Sequence, residues 1–250
     1  MGTTAGVDES IGAGRGGSSG RLRAALGQLL LLALVLVVFT RLHDALGKDA
    51  AAATRNAQSL QSVERALHLD IELAVNRWLT EHEVLVRPAV YFYRSYYVVL
   101  LAVLLWVLLR HADLYSHIRD TLTAMAGLAL LVFWALPMSP PRFALAGVVD
   151  VVAENDPFGR EASFDGNVFS AMPSLHVGWS ALAAYAAWCA LHDRHPRAAL
   201  LVWLFPAVMV VDVFATGHHY VLDVAGSAVL LVASIAVARL WGRLRRPGSA

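Results

Sequence analysis

The sequence contains little charge and almost no cysteine. Only 16% of its 250 residues are Asp, Glu, Lys or Arg, and the formal net charge is +1. A chain so near neutrality lacks the basic surplus with which proteins bind nucleic acid. The single cysteine, Cys189, excludes an intramolecular disulfide and a zinc site built from cysteines. We therefore expect no nucleic-acid partner and no cysteine-based framework.

Long apolar runs make up much of the chain. Apolar residues account for 58% of the sequence and the mean hydropathy is +0.56, which is typical of a protein that lies in a bilayer. A bilayer core about 30 Å thick is crossed by roughly 20 apolar helical residues. Runs near that length occur at about 24–40, 89–110, 122–137, 172–192, 198–215 and 220–241. The sequence therefore predicts an all-α, polytopic integral membrane protein with six transmembrane helices.

This pattern divides the chain into four regions. Residues 1–23 are rich in glycine and serine and predict a disordered cytoplasmic tail. Residues 24–88 hold the first span and an amphipathic segment, which we expect to lie along the outer membrane interface. Residues 89–241 are predicted to form a five-helix transmembrane core, to which the motifs below assign catalysis, and residues 242–250 a second cytoplasmic tail. Arg41 and His43 directly follow the first run, which favours an uncleaved helix over a signal peptide.

The positive charges favour one orientation in the membrane. With the N-terminus inside the cell, most arginines of the short loops lie on the cytoplasmic side. The outer loop over 139–170 then holds five acidic residues against two arginines. The positive-inside rule therefore predicts a multi-pass protein of the cell membrane with both termini in the cytoplasm.

Ionisable side chains within apolar spans are costly, so each of them is a functional candidate. In this chain they fall toward the predicted outer ends of helices, and Arg142 lies just past the third span. The residues within or next to the ends of the spans are Arg94, His176, Asp212, His218, His219 and Asp223. They can meet at one depth, which predicts an active site at the extracytoplasmic face.

The segment AMPSLH has the features of an anion-binding helix start. Pro173 suits the first helical position, and the amides that follow it would point outward from a helix N-terminus. Such an end binds phosphate. Ser174 adds a hydroxyl donor, and His176 an imidazole that can protonate a leaving oxygen. The alternative is that Pro-Ser only caps a membrane helix.

His219 and Asp223 are four residues apart, which stacks them on one helix face. An aspartate bonded to one ring nitrogen fixes the tautomer and raises the basicity of the other nitrogen, as a nucleophilic histidine requires. Alone, this spacing also fits a simple ion pair. Two histidine motifs and Arg142 on the same membrane face favour a catalytic site.

These segments resemble three motifs of a known enzyme family. Arg142 in SPPRF, Ser174 and His176 in PSLH, and His219 with Asp223 in HHYVLD are similar to the phosphatase motifs of the type 2 phosphatidic acid phosphatase superfamily. PPR, AMPSLH and HHYVLD most resemble the branch of fungal inositol phosphorylceramide synthase and its actinobacterial relatives. The resemblance covers about residues 90–237 and agrees with six helices.

The resemblance implies a metal-independent phosphoryl transfer in two steps, with no cofactor. His219 would attack phosphorus and form a phosphohistidine, oriented by Asp223, and His176 would protonate the leaving group. Arg142, Ser174 and the helix amides would stabilise the charge that develops on the phosphoryl oxygens. The expected partners are a phospholipid or lipid-linked phosphate donor and a lipid or polyol acceptor within the bilayer.

Two cations of the wider superfamily are missing from the motifs. Ala135 stands where its first motif has lysine, and Asp212 and Val213 stand where its third motif has Ser-Arg. His218 and Arg94 are candidates to replace them at the substrate. Because a monoester dianion needs more positive charge than a diester monoanion, we expect transfer of a head group such as phosphoinositol.

Several alternatives remain open at the level of sequence. One is a lipid phosphate phosphatase acting on phosphatidic acid or a polyprenyl phosphate. Others are a zinc-dependent intramembrane hydrolase using the histidines, and a channel or transporter with a histidine relay. The tyrosines around Arg94 could line a head-group pocket, but an aromatic belt at the membrane interface is favoured.

Overall fold

The computed structural model describes residues 13–156 and 166–245. Within these ranges the chain is helical, and its β-pairing is one isolated parallel bridge between Met138 and Ser170. The helices are α1 (Ala13–Ala45), α2 (Ala50–Ala66), α3 (Glu72–Thr80), α4 (Glu83–Arg110), α5 (Ala112–Ala135), α6 (Pro141–Ala144), α7 (Val151–Asn155), α8 (Leu175–Leu191), α9 (Pro196–Leu201), α10 (Leu204–Ala215) and α11 (Val221–Leu244). Residues 1–12 of the predicted tail 1–23, residues 246–250 of the predicted tail 242–250, and residues 157–165 of the acidic outer loop lie outside the described residues.

In the described ranges, five helical segments are long and apolar enough to cross a membrane. They are Arg23–Ala45, Glu83–Arg110, Ala112–Ala135, Pro196–Ala215 and Val221–Leu244. The remaining predicted span corresponds to α8, which is apolar but has 17 residues. The all-α polytopic membrane fold is thereby confirmed, and the number of spans stays a prediction. Helix α1 already begins at Ala13, within the tail predicted to be disordered.

The chain divides into two compact units, Met1–Val38 and Phe39–Ala250. The described part of the first unit is α1 as far as Val38. The second unit contains the last turns of α1 and all the other helices. Every candidate site residue belongs to the second unit.

The second unit is built around α4, α5, α8, α10 and α11. Helix α11 packs against α5 and α8, and α8 also packs against α4 and α10. Consecutive long helices run in alternate directions, so the starts of α4, α8 and α11 lie at the same end as the ends of α5 and α10. The segments that carry the three sequence motifs all occur at this end.

Backbone hydrogen bonds tie these segments to one another. The amide of Met138 donates to the carbonyl of Phe169 at 2.7 Å, which joins the end of α5 to the segment before α8. The amide of Arg142 donates to the carbonyl of Gly217 at 2.9 Å, which joins SPPRF to the turn before HHYVLD. Non-helical backbone therefore finds its partners within the protein, as it must at membrane depth.

Gly217 makes the turn that leads from α10 to the histidines. Its φ is +79°, and its amide donates to the carbonyl of Phe214 at 3.0 Å while the next amide donates to that of Val213 at 3.0 Å. This is a Schellman arrangement, which favours glycine in the left-handed region. A Cβ at this position would lie 2.8 Å from Val148 Cγ1 and 2.9 Å from the carbonyl oxygen of Val149.

The amphipathic segment packs its polar side chains against the bundle. Glu64, Glu72 and Asn76 are 0–1% exposed, whereas Val63 and Leu67 are 49% and 57% exposed. Helix α2 contacts α6 and α11, and α3 contacts α10. The exposed apolar face suits a membrane interface, and the interfacial position stays a prediction. The sequence alone did not indicate that the polar face would be the buried one.

Asn76 connects α3 to the end of α10 and to the segment before α7. Its Nδ2 donates to the carbonyls of Ala215 at 2.8 Å and Val149 at 3.0 Å, and its Oδ1 accepts from the amide of Val149 at 2.8 Å. One buried side chain thus satisfies three backbone groups beside the Gly217 turn.

We expect Gly217→Ala to destabilise the protein by about 2 kcal/mol or more, because a left-handed alanine is strained and its methyl group collides with backbone. Gly127→Ala in α5 is the matched control, since its Cβ would meet nothing within 4 Å and alanine favours a helix by about 0.5–1 kcal/mol. Thermal unfolding in detergent measures both changes. Equal unfolding temperatures for the two variants would contradict the assignment of this turn.

Candidate active site

His219 is held in one tautomer by two acceptors. It lies in the turn between α10 and α11 and is 4% exposed. Its Nδ1 is 2.9 Å from the carbonyl oxygen of Ala171 and 3.3 Å from Asp223 Oδ2. Because a carbonyl oxygen can only accept, Nδ1 carries the hydrogen and Nε2 keeps its lone pair.

The electrostatic surroundings keep this imidazole neutral. His219 lies between the spans that end at Ala215 and begin at Val221. Burial is the main cause that lowers the pKa of His219 to about 3, and the nearby Arg142 charge adds to it. A neutral ring with a free Nε2 is the form that can act as a nucleophile.

His176 faces the free nitrogen of His219. It stands in the first turn of α8, with its Nδ1 3.3 Å from His219 Nε2. Since Nε2 of His219 has no hydrogen, the hydrogen between the two rings belongs to His176. Tyr93 stacks on His176 at a ring distance of 4.2 Å and an angle of 28°, and Tyr96 approaches it to 4.4 Å. These contacts fix the plane of the ring.

Asp223 stands behind His219 and is fully buried. Its Oδ2 accepts the amide of Tyr220 at 2.9 Å as well as facing His219. The carbonyl of Asp223 accepts the amide of Ser174 at 3.3 Å. The second and third motifs are therefore joined directly through the residue that orients His219.

A cavity of about 670 Å³ opens beside the two histidines. Arg142, His176, His218 and His219 line it together with Arg94, so five of the predicted site residues share one space. The two predicted residues outside its lining, Ser174 and Asp223, are completely buried behind it. The arrangement can therefore hold a phosphoryl group against a nucleophile, an acid and a cation.

The family of the chain follows from this site and from a comparison with protein families. The family model described as PAP2 superfamily matches residues 58–237, which is more than half of the chain and includes every candidate site residue. The chain belongs to the PAP2 superfamily. Comparison with curated proteins and with solved structures gave no significant match. Membership supports a lipid phosphate phosphatase or phosphotransferase.

Both arginines of this PAP2 superfamily site are paired with carboxylates at the ends of α7. Arg142 Nε lies 2.9 Å from Asp150 Oδ2, and Arg94 Nη2 lies 2.8 Å from Asp156 Oδ2. Asp212 therefore does not pair with Arg142, and His218 Nδ1 lies 3.1 Å from a main-chain carbonyl, that of Thr216.

The tyrosines around Arg94 are divided between two environments. Tyr91 is 55% exposed, as an aromatic belt requires. Tyr93 is 6% exposed and contacts both His176 and His218, the latter at a ring distance of 4.4 Å. The interpretation of the whole cluster as a belt is therefore wrong for Tyr93.

The end of α1 contributes residues that the sequence did not indicate. His43 lines the cavity, and its Nε2 lies 2.9 Å from Ser170 Oγ. Asn167, also in the lining, donates from Nδ2 to the carbonyl of Leu46 at 2.7 Å. His43 follows the apolar run predicted at 24–40, so in the sequence it resembled a flanking polar residue, although the first span of the structure extends to Ala45.

No group of three or more His, Cys, Asp or Glu side chains within 13–156 and 166–245 is arranged to hold a metal ion. The two close histidines, His176 and His219, face each other across 3.3 Å.

Ser174 serves as the N-cap of α8. It is 0% exposed, and its Oγ accepts the amide of Val177 at 3.4 Å. Its carbonyl accepts Ser227 Oγ at 2.7 Å, which again ties α8 to α11. The helix begins at Leu175, so the prediction that Pro173 occupies the first helical position is wrong.

We expect Ser174→Ala to lower stability by about 1 kcal/mol, the usual effect of losing an N-cap. Since the hydroxyl is bonded to Val177 behind the cavity, turnover at saturating substrate should fall less than tenfold. Thermal unfolding and steady-state kinetics measure the two effects. A loss of turnover above 100-fold with unchanged unfolding would instead show that the hydroxyl binds the phosphoryl group directly.

Proposed function

We propose that the protein is a phosphotransferase of the extracytoplasmic membrane face that moves a substituted phosphoryl group, of the phosphoinositol type, from a lipid to an acceptor hydroxyl. The observation that carries this proposal is the facing pair His176 and His219. Nε2 of His219 keeps its lone pair because Nδ1 of the same ring faces two acceptors. Nδ1 of His176 directs a hydrogen toward that lone pair.

In the first step Nε2 of His219 attacks phosphorus, and the bond from phosphorus to the lipid oxygen breaks. The leaving oxygen takes its proton from the protonated form of His176, and a phosphohistidine remains. Positive charge on the attacking ring is stabilised by Asp223 through Nδ1. Arg142 stabilises the negative charge on the phosphoryl oxygens.

In the second step the acceptor hydroxyl attacks phosphorus, and its proton passes to His176. The bond from phosphorus to Nε2 breaks, and the electron pair returns to His219. Both histidines are then in their starting forms, and a new phosphodiester has replaced the old one. No step requires a metal ion or a cofactor.

The charges around the cavity support a diester rather than a monoester substrate. Arg94 and Arg142 are each paired with a carboxylate of the α7 segment. The positions of the two cations found in the wider superfamily are occupied by Ala135 and by Asp212 and Val213. With its cations partly neutralised, the site suits a monoanion better than a dianion.

The proposal is tested with purified protein in mixed micelles, supplied with a lipid acceptor and labelled donors. Phosphatidylinositol labelled in the inositol ring reports transfer, and phosphatidic acid labelled in phosphate reports hydrolysis. We expect transfer to exceed release of phosphate by at least tenfold, and to persist in excess chelator. Rapid release of phosphate without transfer would instead establish a lipid phosphate phosphatase.

The same assay tests the two histidines. We expect His219→Ala and His176→Ala to lower transfer by roughly 10²–10⁴-fold, the range in which acid–base and nucleophilic groups contribute. His195→Ala is the control, because His195 is exposed at the start of α9. Full activity of either site variant would contradict its assigned role.

A further inference from the structure

The first turn of α11 is bonded to two carboxylates from outside the motifs. Glu64 of α2 accepts the amide of Leu222 through Oε1 at 2.7 Å, and Glu72 of α3 accepts the amide of Val221 through Oε1 at 3.2 Å. Glu64 is 0% and Glu72 is 1% exposed. Two buried acids from the amphipathic segment therefore bind the helix that carries Asp223.

A third carboxylate, that of Asp223, takes the preceding amide. Asp223 Oδ2 accepts the amide of Tyr220 at 2.9 Å, and the same oxygen faces His219 Nδ1 at 3.3 Å. Three successive amides of this turn are thus bonded to three different carboxylates. Only one of the three carboxylates also contacts the nucleophilic histidine.

This division of the amides matters because a helix start has backbone N–H groups without helical partners. In a buried turn, a free amide takes the nearest acceptor, since an unsatisfied donor costs about 1–3 kcal/mol. Without Glu64 and Glu72, the carboxylate that this turn itself supplies is that of Asp223, whose Oδ2 already accepts the amide of Tyr220. Its oxygen would then be drawn away from His219.

We propose that Glu64 and Glu72 are positioning residues of the transfer reaction, which hold the first turn of α11 so that Asp223 remains bonded to His219. The inference rests on the proposed role of His219 as the nucleophile. Neither glutamate touches the substrate cavity, and both act through the amides of Val221 and Leu222.

The two glutamates also form an acid pair. Burial raises the pKa of Glu64 to about 8, and the neighbouring Glu72 and Asp223 carboxylates add to the effect of burial. Burial also raises the pKa of Glu72, and this rise is opposed by hydrogen bonds from the amides of Glu72 and Val221 and, to a smaller extent, by the interaction with Glu64. At neutral pH Glu64 therefore carries a proton. The other titratable groups that face the pair are Tyr220 at the start of α11 and Asp70 before α3.

The direction of the pH effect follows from the raised pKa of Glu64. Its proton is present below about pH 8 and is lost above it, where two carboxylates would repel each other beside Asp223. The stability that this group contributes is complete below the unfolded pKa of about 4.5 and is lost as the pH rises through about 8. We expect wild-type turnover to decline above about pH 8 for the same reason.

The experiment compares Glu64→Gln, Glu64→Ala and Glu72→Gln in the head-group transfer assay between pH 6 and 9.5. Glutamine keeps an acceptor for the amide and cannot ionise, so Glu64→Gln should stay within threefold of wild type at pH 7 and lose the alkaline decline. Glu64→Ala should lower kcat at least tenfold and change the KM for donor lipid less than twofold. Glu81→Gln and Glu81→Ala are matched controls, because Glu81 is exposed just after α3.

Two results would overturn the proposal. One is an alkaline decline in Glu64→Gln that coincides with the wild-type curve, and the other is a folded Glu64→Ala with wild-type kcat. If Glu64→Ala does not fold, the pH profile of Glu64→Gln decides alone.

A wild-type protein that transfers no head group would count against the proposed function and not against this positioning role. The rate at which diethyl pyrocarbonate modifies His219, read by mass spectrometry against exposed His195, then tests the role separately. A change of at least threefold in the Glu64 and Glu72 variants supports positioning, provided that the Glu81 variants show none. An unchanged rate in all variants contradicts it.

Discussion

The structure depends on one constraint, which is that non-helical backbone at the ends of membrane spans must find hydrogen-bond partners within the protein. The three motif segments meet this constraint by bonding to one another. Met138 bonds to Phe169, Arg142 to Gly217, and Ser174 to Asp223. The bonds that satisfy the backbone are therefore the same bonds that bring His219, His176 and Arg142 together.

The electrostatics of the site follow from its burial. His219 is neutral because it is enclosed, and its tautomer is set by a carbonyl oxygen and a carboxylate. The positive charge of Arg142 is compensated by the carboxylate of Asp150, which lies at the start of α7. A site of this kind gains little from attracting highly charged groups, and we expect it to act through orientation and through charge that develops in the transition state. This is the physical basis for expecting a phosphodiester substrate.

Apolar run length and motif chemistry were enough to predict the helical membrane fold and five of the residues that line the cavity. Contacts between distant segments were not predictable. His43 meets Ser170 across 127 positions of sequence, and no local pattern encodes that pairing. The amphipathic segment predicted a helix correctly, but periodicity cannot tell whether its apolar face turns to lipid or to protein. Glu64 consequently resembled an ordinary solvent-facing acid, although it is completely buried.

The central claim, that His219 is the nucleophile, is tested most directly by trapping the intermediate. Donor lipid labelled at phosphorus is mixed with the purified protein without acceptor, quenched in alkali and digested for mass spectrometry. The predicted result is an acid-labile phosphoryl group on the peptide that contains His219, absent from His219→Ala and present in His195→Ala. A label on another residue that persists in His219→Ala would contradict the account.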